Sequence, residues 1–311
     1  PRSRGLGDVY KRQEEESLGK ERKTIELLLS SDTRLKTFIK KELRVIVEEF
    51  GDKRRCQITP DVATAQAFND QDMVPAENVT VVLSQKGWVK AAKGHEIDPV
   101  SLNYKAGDAY LQDAKGKSNK MAFFIDSTGR SYTLLANSLP SARGQGEPLT
   151  GRLTPPIGAE FIDVAMGEDE QLVLLASDVG YGFISNLGNL QSKTKSGRNA
   201  ITLPSKSKVM KIVLVEDLEN QYVAVATNRG RLLIFPIAEL PLLSKGKGNK
   251  LIQIPAEDLA ARKEIVTGLC ALKETQKLRA YYGKRKPIYK PEDWIHFVSH
   301  RARRGKELRP G

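Results

Sequence analysis

Ala224-Val225-Ala226-Thr227-Asn228-Arg229-Gly230, running directly into Arg231-Leu232-Leu233-Ile234-Phe235, is the stretch that decides how this chain folds. Three apolar residues, three turn residues and a glycine lead into a second apolar strand, the pattern of a tight β-hairpin. Glycine closes the turn because the backbone must enter positive φ there, which costs energy for a residue with a Cβ. The same form recurs upstream as Val81-Val82-Leu83-Ser84-Gln85-Lys86-Gly87, Phe123-Phe124-Ile125-Asp126-Ser127-Thr128-Gly129 and Leu174-Leu175-Ala176-Ser177-Asp178-Val179-Gly180, with the four glycines 42, 51 and 50 residues apart. Leu139-Pro140 and Leu240-Pro241 both begin ten residues past their glycine. A fainter fifth copy alternates Leu278, Ala280 and Tyr282 up to Gly283, with Trp294 eleven residues beyond. A period of ~40–50 residues in all-β texture predicts an array of blades, since one small sheet cannot bury both of its faces alone. The expectation is a mainly β domain of five blades over residues 78–311, its last blade truncated near Arg309-Pro310-Gly311.

Ahead of the repeats the texture is helical. Ile25, Leu28, Leu29, Leu35, Phe38, Ile39, Leu43, Ile46, Val47 and Phe50 follow three-and-four spacing, broken at Ser30-Ser31-Asp32 by good N-cap types. Two amphipathic helices are expected within residues 14–56, then a linker over 57–77. Pro1–Gln13 shows neither periodicity nor caps and reads as a sequencing or cloning scar, expected to be disordered.

The 311 residues carry 50 Lys and Arg against 38 Asp and Glu, a formal charge of +12. Residues 1–75 hold 15 basic and 14 acidic side chains, so the remaining 35 against 24 put an excess of +11 on the repeats. Such an excess favours a polyanionic partner, nucleic acid first. Two cysteines, Cys56 and Cys270, exclude a disulfide scaffold or a multi-cysteine zinc cluster and suit a cytoplasmic setting. No apolar run approaches the ~18–20 residues needed to span a bilayer.

Several repeats close with a glycine-containing basic tail: Arg143-Gly144-Gln145-Gly146, Lys193-Thr194-Lys195-Ser196-Gly197-Arg198, Lys245-Gly246-Lys247-Gly248-Asn249-Lys250 and Arg301-Ala302-Arg303-Arg304-Gly305-Lys306. Equivalent positions in a ring of blades share one rim, so the tails are expected to form a cationic track whose glycines let backbone amides approach phosphates. The cations assigned to this DNA-binding track are Lys90, Lys93, Arg130, Arg143, Lys193, Lys195, Arg198, Arg231, Lys245, Lys247, Lys250, Lys284, Arg285, Lys286, Arg301, Arg303, Arg304 and Lys306. No recognition helix or RNP-type aromatic pair is present, so phosphate contact and duplex deformation would have to dominate base readout.

These tails, with Leu83-Ser84-Gln85-Lys86-Gly87-Trp88-Val89-Lys90-Ala91-Ala92-Lys93-Gly94-His95, Leu102-Asn103-Tyr104-Lys105-Ala106-Gly107-Asp108, Asp126–Tyr132, Leu139–Gly151, Ala176–Phe183 and Gly283-Lys284-Arg285-Lys286, resemble the C-terminal part of the A-type subunit of DNA topoisomerase IV, in the bacterial type IIA topoisomerase family. Leu35–Arg55 resembles the helical end of that subunit's cleavage core. The resemblance implies a degenerate five-bladed β-pinwheel that binds duplex DNA along a basic edge and presents it for strand passage. It also implies an A2B2 holoenzyme, in which two A-type chains join two ATP-hydrolysing B-type chains. That holoenzyme would require Mg²⁺ and ATP, and would decatenate and relax DNA in chromosome segregation. A nucleoid-associated location, peripheral to the inner face of the membrane, follows from resemblance alone. The family's catalytic tyrosine and arginine lie upstream of anything present, so the fragment is expected to carry no catalytic residue, metal or cofactor. The related A-type subunit of gyrase carries a contiguous Gln-Arg-Arg-Gly-Gly-Lys-Gly box. Only Arg303-Arg304-Gly305-Lys306 echoes it here, which disfavours gyrase-type wrapping.

Other chemistry is set aside. Asp126-Ser127-Thr128-Gly129 resembles an aspartic-protease loop but has one residue too many and reads as a hairpin turn. His296 and His300 have i, i+4 spacing without the glutamate of a zinc-peptidase helix, and His95 stands apart. A P-loop string is absent. The competing reading is a propeller adaptor for acidic protein segments, which apolar anchors on the rim would favour.

Overall fold

The computed structural model describes residues 3–52, 75–281 and 286–308. Two compact units divide near Gln66, and each is taken by itself.

In the first unit, α1 (Ser3–Leu29) and α2 (Asp32–Phe50) meet at the expected break, with Ser31 as N-cap and Gly51 as C-cap of α2. Ser3–Gln13, expected to be disordered, is the opening of α1. The apolar stripe of α2 gains no cover within the unit: Phe38, Leu43, Val47 and Phe50 are all exposed. Most of the expected linker lies outside the described residues. No helix among them is long and apolar enough to cross a membrane.

The second unit is built from the hairpins. Each of the four strong repeats forms an antiparallel hairpin: Asn78–Ser84 with Trp88–Lys93, Met121–Asp126 with Arg130–Leu135, Leu172–Ala176 with Tyr181–Asn186, and Gln221–Thr227 with Arg231–Pro236. All four turns close in the same way, Gly87, Gly129, Gly180 and Gly230 each donating a backbone N–H three residues back at 2.9–3.0 Å. Each of these glycines has φ between 68° and 84°, the demand that the sequence pattern expressed. In the second turn Asp126 is fully buried. Its Oδ1 accepts from Thr128 N, Thr128 Oγ1 and Arg130 N, and Tyr132 OH donates to its Oδ2 at 2.7 Å, so this aspartate organises a turn.

Every hairpin becomes a four-stranded sheet by gaining a partner on each side. The first strands pair with Tyr110–Lys117, Phe161–Met166, Val213–Val215 and Val266–Lys273. The second strands pair with Glu147–Pro148, Arg198–Asn199, Asn249–Lys250 and Lys306–Glu307. That last partner always arrives after the chain has made the next hairpin, so consecutive sheets exchange strands.

The core lies between successive sheets. Phe124 packs with Val81 and Leu83 of the first blade, whereas its neighbours Phe123 and Ile125 pack with Leu175 and Phe183 of the third. Likewise Leu174 and Ile184 meet Val225 and Phe235 of the fourth. Period-2 alternation thus sends successive side chains to opposite faces, and both faces are covered, which is why the strands read as unbroken apolar runs. Each fully buried Phe or Leu contributes roughly 1.5–3 kcal/mol.

Against the expected five blades, the described residues contain four four-stranded sheets. The fifth copy survives as a two-stranded ribbon, Leu278–Arg279 with Ile288–Tyr289, in the chain position where a next hairpin would stand. Pro287 and Pro291 bracket its second strand and lack the N–H groups a longer ladder needs. Trp294, fully buried, packs beside Leu278 and Ile234 and donates Nε1–H to Gln276 O at 2.9 Å, so the ribbon caps the fourth blade.

Candidate nucleic-acid interface

The basic tails are the segments that deliver the fourth strands. Tail 1 (143–148), tail 2 (193–199), tail 3 (245–250) and tail 4 (301–307) each pair beside the turn glycine of a hairpin. Each contains a glycine at positive φ next to its paired residues, namely Gly146, Gly197, Gly248 and Gly305. A Cβ on Gly146 would lie 2.5 Å from Val89 O, one on Gly305 2.9 Å from Leu232 O, and one on Gly248 in collision with Gly182 O. These glycines are therefore required by the tight return of the tail onto the sheet.

The tails also touch in sequence. Thr154, just past tail 1, donates its N–H to Lys195 O of tail 2 at 2.8 Å. Thr202, just past tail 2, donates to Gly246 O of tail 3 at 2.8 Å, and Gln253, past tail 3, donates to Arg303 O of tail 4 at 2.8 Å. Acidic loops lie at the other end of the hairpins: Glu168-Asp169-Glu170 and Glu216–Glu219 precede the third and fourth, away from the glycine turns.

The assigned cations divide into three groups. Arg143, Lys193, Lys195, Arg198, Lys245 and Arg303 are exposed, and no hydrogen bond or ion pair engages their charged groups among the described residues. Lys247 is exposed with its Nζ 3.9 Å above the Tyr181 ring, and Lys286 stands 5.9 Å over Tyr281. The second group braces the fold. Arg130 donates to Ser196 O at 2.6 Å, and Arg231, at the same place in its hairpin, to Gly305 O at 3.3 Å and Glu307 at 2.7 Å. Arg301 reaches Lys250 O at 3.2 Å, Lys250 leans to Gln253 at 3.4 Å, Lys306 donates to His296 O, and Lys93 pairs with Glu77 at 2.8 Å. Arg304 forms a two-pronged pair at 2.6 and 2.7 Å with Glu264, which is fully buried. Burial works to raise the Glu264 carboxyl pKa, but hydrogen bonds from Arg304 and Thr227 outweigh it and hold the group below its ordinary value.

The third group leaves the interface. Lys90 is 2% exposed, donates to Asn103 O and lies 3.9 Å over the Tyr104 ring, and burial lowers its pKa against the pull of Asp108. Its strand turns it inward under the loop that carries Tyr104, so Lys90 is a structural cation. Lys284 and Arg285 lie outside the described residues.

Residues that the tails alone did not reveal are Trp88 and Tyr181, each just after a turn glycine. Lys105 Nζ sits 4.7 Å over Trp88 as Lys247 does over Tyr181. The signal was available: the position after the glycine holds Trp88, Arg130, Tyr181 and Arg231, alternately aromatic and arginine. Among the described residues no group of three or more His, Cys, Asp and Glu could hold a metal ion.

Strand-exchanged blades carrying basic return tails define a propeller of the DNA gyrase C-terminal type, and residues 171–216 and 221–261 match the family described as "DNA gyrase C-terminal domain, beta-propeller". The chain belongs to the family of topoisomerase IV A-type subunits. It is 47% identical to the Escherichia coli ParC C-terminal domain, with a TM-score of 0.68 over 75% of this chain and 95% of that one. It is 48% identical over 306 residues to the A-type subunit of Pseudomonas aeruginosa DNA topoisomerase 4, and 48% over 298 residues to that of Haemophilus influenzae. These matches take in 98% and 96% of this chain, which spans 40% of the length of either relative. A gyrase A C-terminal domain, 16% identical with a TM-score of 0.55, shares the fold.

Proposed function

We propose that this chain holds duplex DNA along its basic tails and presents it to the strand-passage machinery of a topoisomerase IV. The observation that carries this reading is the hydrogen-bonded succession of tails, which brings Arg143, Lys193, Lys195, Arg198, Lys245, Lys247 and Arg303 onto one run of chain contacts. Their charges have no carboxylate partners among the described residues, as a surface awaiting phosphates requires. The braced arginines Arg130, Arg231 and Arg304 fix the tails and spare the exposed cations that ordering cost. In the whole enzyme, the reading includes an A2B2 assembly of two A-type and two B-type chains, ATP-dependent decatenation and relaxation, and a cytoplasmic, nucleoid-associated setting. The first and helical unit would then be the end of the cleavage core, and the ribbon of the fifth copy the remnant of a fifth blade.

Duplex binding measured over a salt series tests it. Six or seven phosphate contacts give a slope of log K against log salt near −6, so weak and salt-independent binding would overturn the reading in favour of a protein-binding adaptor. Sealing a nicked circle with the protein bound then separates presentation from gyrase-type wrapping, which would shift the linking number.

A further inference from the structure

Between tail 1 and tail 2 stands the loop Leu153-Thr154-Pro155-Pro156-Ile157-Gly158-Ala159-Glu160. Its base is fixed on both sides. Leu153 is buried, Ser127 N donates to Glu160 O at 2.7 Å, Glu160 N donates to Ser127 Oγ at 3.2 Å, and Phe161 is buried. Its tip is a closed turn in which Ala159 N donates to Pro156 O at 3.0 Å and Gly158 takes φ 80°. Two prolines fix φ on the ascending limb. At the summit Ile157 is 108% exposed, the most exposed of the large apolar side chains described.

An isolated surface isoleucine needs no explanation, but this one has an address. Thr154 hydrogen-bonds to Lys195 O of tail 2, and Gly151, Arg152 and Leu153 share a cleft of about 320 Å³ with Lys193, Thr194 and Lys195. The same turn recurs in the next interval, where Ser207 N donates to Pro204 O at 3.1 Å and Lys206 takes φ 60°, yet its summit residue is the polar Ser205. The turn is thus shared by these two intervals, and of the two only the first carries a large apolar residue at its summit. That interval adjoins tail 1, where Arg143 is the sole exposed cation and Glu147 already pairs with Arg152.

We propose that Ile157 is a wedge that enters between two base pairs of the bound duplex from the minor groove and kinks it as it passes from tail 1 to tail 2. The inference rests on the DNA-binding reading and adds to it a mode of deformation. Apolar side chains on stiff, proline-braced supports can unstack a step and bend a duplex by roughly 20–90°, and flexible pyrimidine–purine steps accept this most readily. Tail 1 brings one exposed cation to this crossing and tail 2 brings three, so a kink here would turn the duplex toward the better-gripped side.

The test uses the whole 311-residue chain with a panel of short duplexes. Each carries 2-aminopurine beside a pyrimidine–purine step at a different position, and a dye pair on its ends. The wild-type chain is expected to raise 2-aminopurine emission at one step and to shorten the end-to-end distance. Ile157→Ala should abolish the emission rise and most of the shortening while leaving the salt slope unchanged, because no cation is lost, and Ile157→Met should retain both signals. Equal melting temperatures are expected for all three, since the side chain is solvent-exposed. Unstacking and bending by Ile157→Ala at wild-type levels would overturn the wedge, as would wild-type binding that leaves every 2-aminopurine quenched. Failure of the wild type to bind any duplex at low salt would overturn the parent reading, and the wedge with it.

Discussion

Tail 1 and tails 3 and 4 occupy the same place in the first, third and fourth repeats, and they are built alike but charged differently. All three return to their sheets through a positive-φ glycine. Just before that glycine tail 1 has Gln145, tail 3 has Lys247 over an aromatic ring, and tail 4 has Arg304 locked to a buried glutamate. Just after it, tail 1 has Glu147, tail 3 Asn249 and tail 4 Lys306. The backbone requirement is therefore uniform while the charge is graded, so a basic residue in a tail is not by itself a contact with DNA.

The sharpest way to break this comparison is at tail 4. Arg304→Ala leaves Glu264 buried without its cation and should cost about 3–5 kcal/mol of unfolding free energy in a denaturant melt, an effect far beyond that expected for a phosphate contact. Gly248→Ala comes next, since its Cβ has no room beside Gly182 O. A loss of about 2–3 kcal/mol is expected, whereas the same change at Gly144, where only Ser141 O comes within 4 Å at 3.9 Å, should be nearly neutral by the same melt.

A buried carboxylate of the opposite kind follows. Asp163 accepts from Ile212 N at 2.6 Å and Val164 N at 2.9 Å, yet burial pushes its pKa up to about 6. The folded state thus holds a proton more tightly than the unfolded chain, where aspartate titrates near 3.9. Its contribution to stability should rise as pH falls from above 6 toward 4, by on the order of 2 kcal/mol. Asp163→Asn should flatten that part of the pH profile of the melting temperature, and an unchanged profile would place the proton elsewhere.

Smaller effects test the charge gradient itself. Replacing Lys245, Lys247 and Lys250 together by alanine should weaken duplex binding about equally for all sequences and lower the salt slope by roughly 2, since Lys250 leans to Gln253 and only the other two are free. Arg143→Ala should lower it by roughly 1, with the melting temperature unchanged in both variants. Equal slopes for the two would erase the distinction between the tails.

Much of this architecture was legible because the hairpin glycines have one physical reason to exist, and the sequence repeats that reason four times. The two-sided burial of Phe123-Phe124-Ile125 was legible for the same cause, as a run with no polar face. Lys90 was misplaced because nothing local in Trp88–Lys93 announces that a loop carrying Tyr104 folds over it. Arg304 looked like a ligand contact because its carboxylate partner lies 40 residues away in the chain. A full fifth blade does not stand among the described residues, because alternation in Leu278 and Ala280 signals a strand but gives no measure of its length. The helical start at Ser3 was missed because those residues lack the apolar spacing on which the reading relied.

Strand exchange also bears on how the molecule is made. Pro236 and Lys306 are 70 residues apart, so the fourth hairpin emerges from the ribosome with one ladder of N–H and C=O groups open until synthesis has advanced by that distance. At ~5–20 residues per second this is a wait of roughly 4 to 14 s. During it the nascent edge could be captured by any other extended chain, so vectorial synthesis imposes on every blade an interval of exposure that its successor must end.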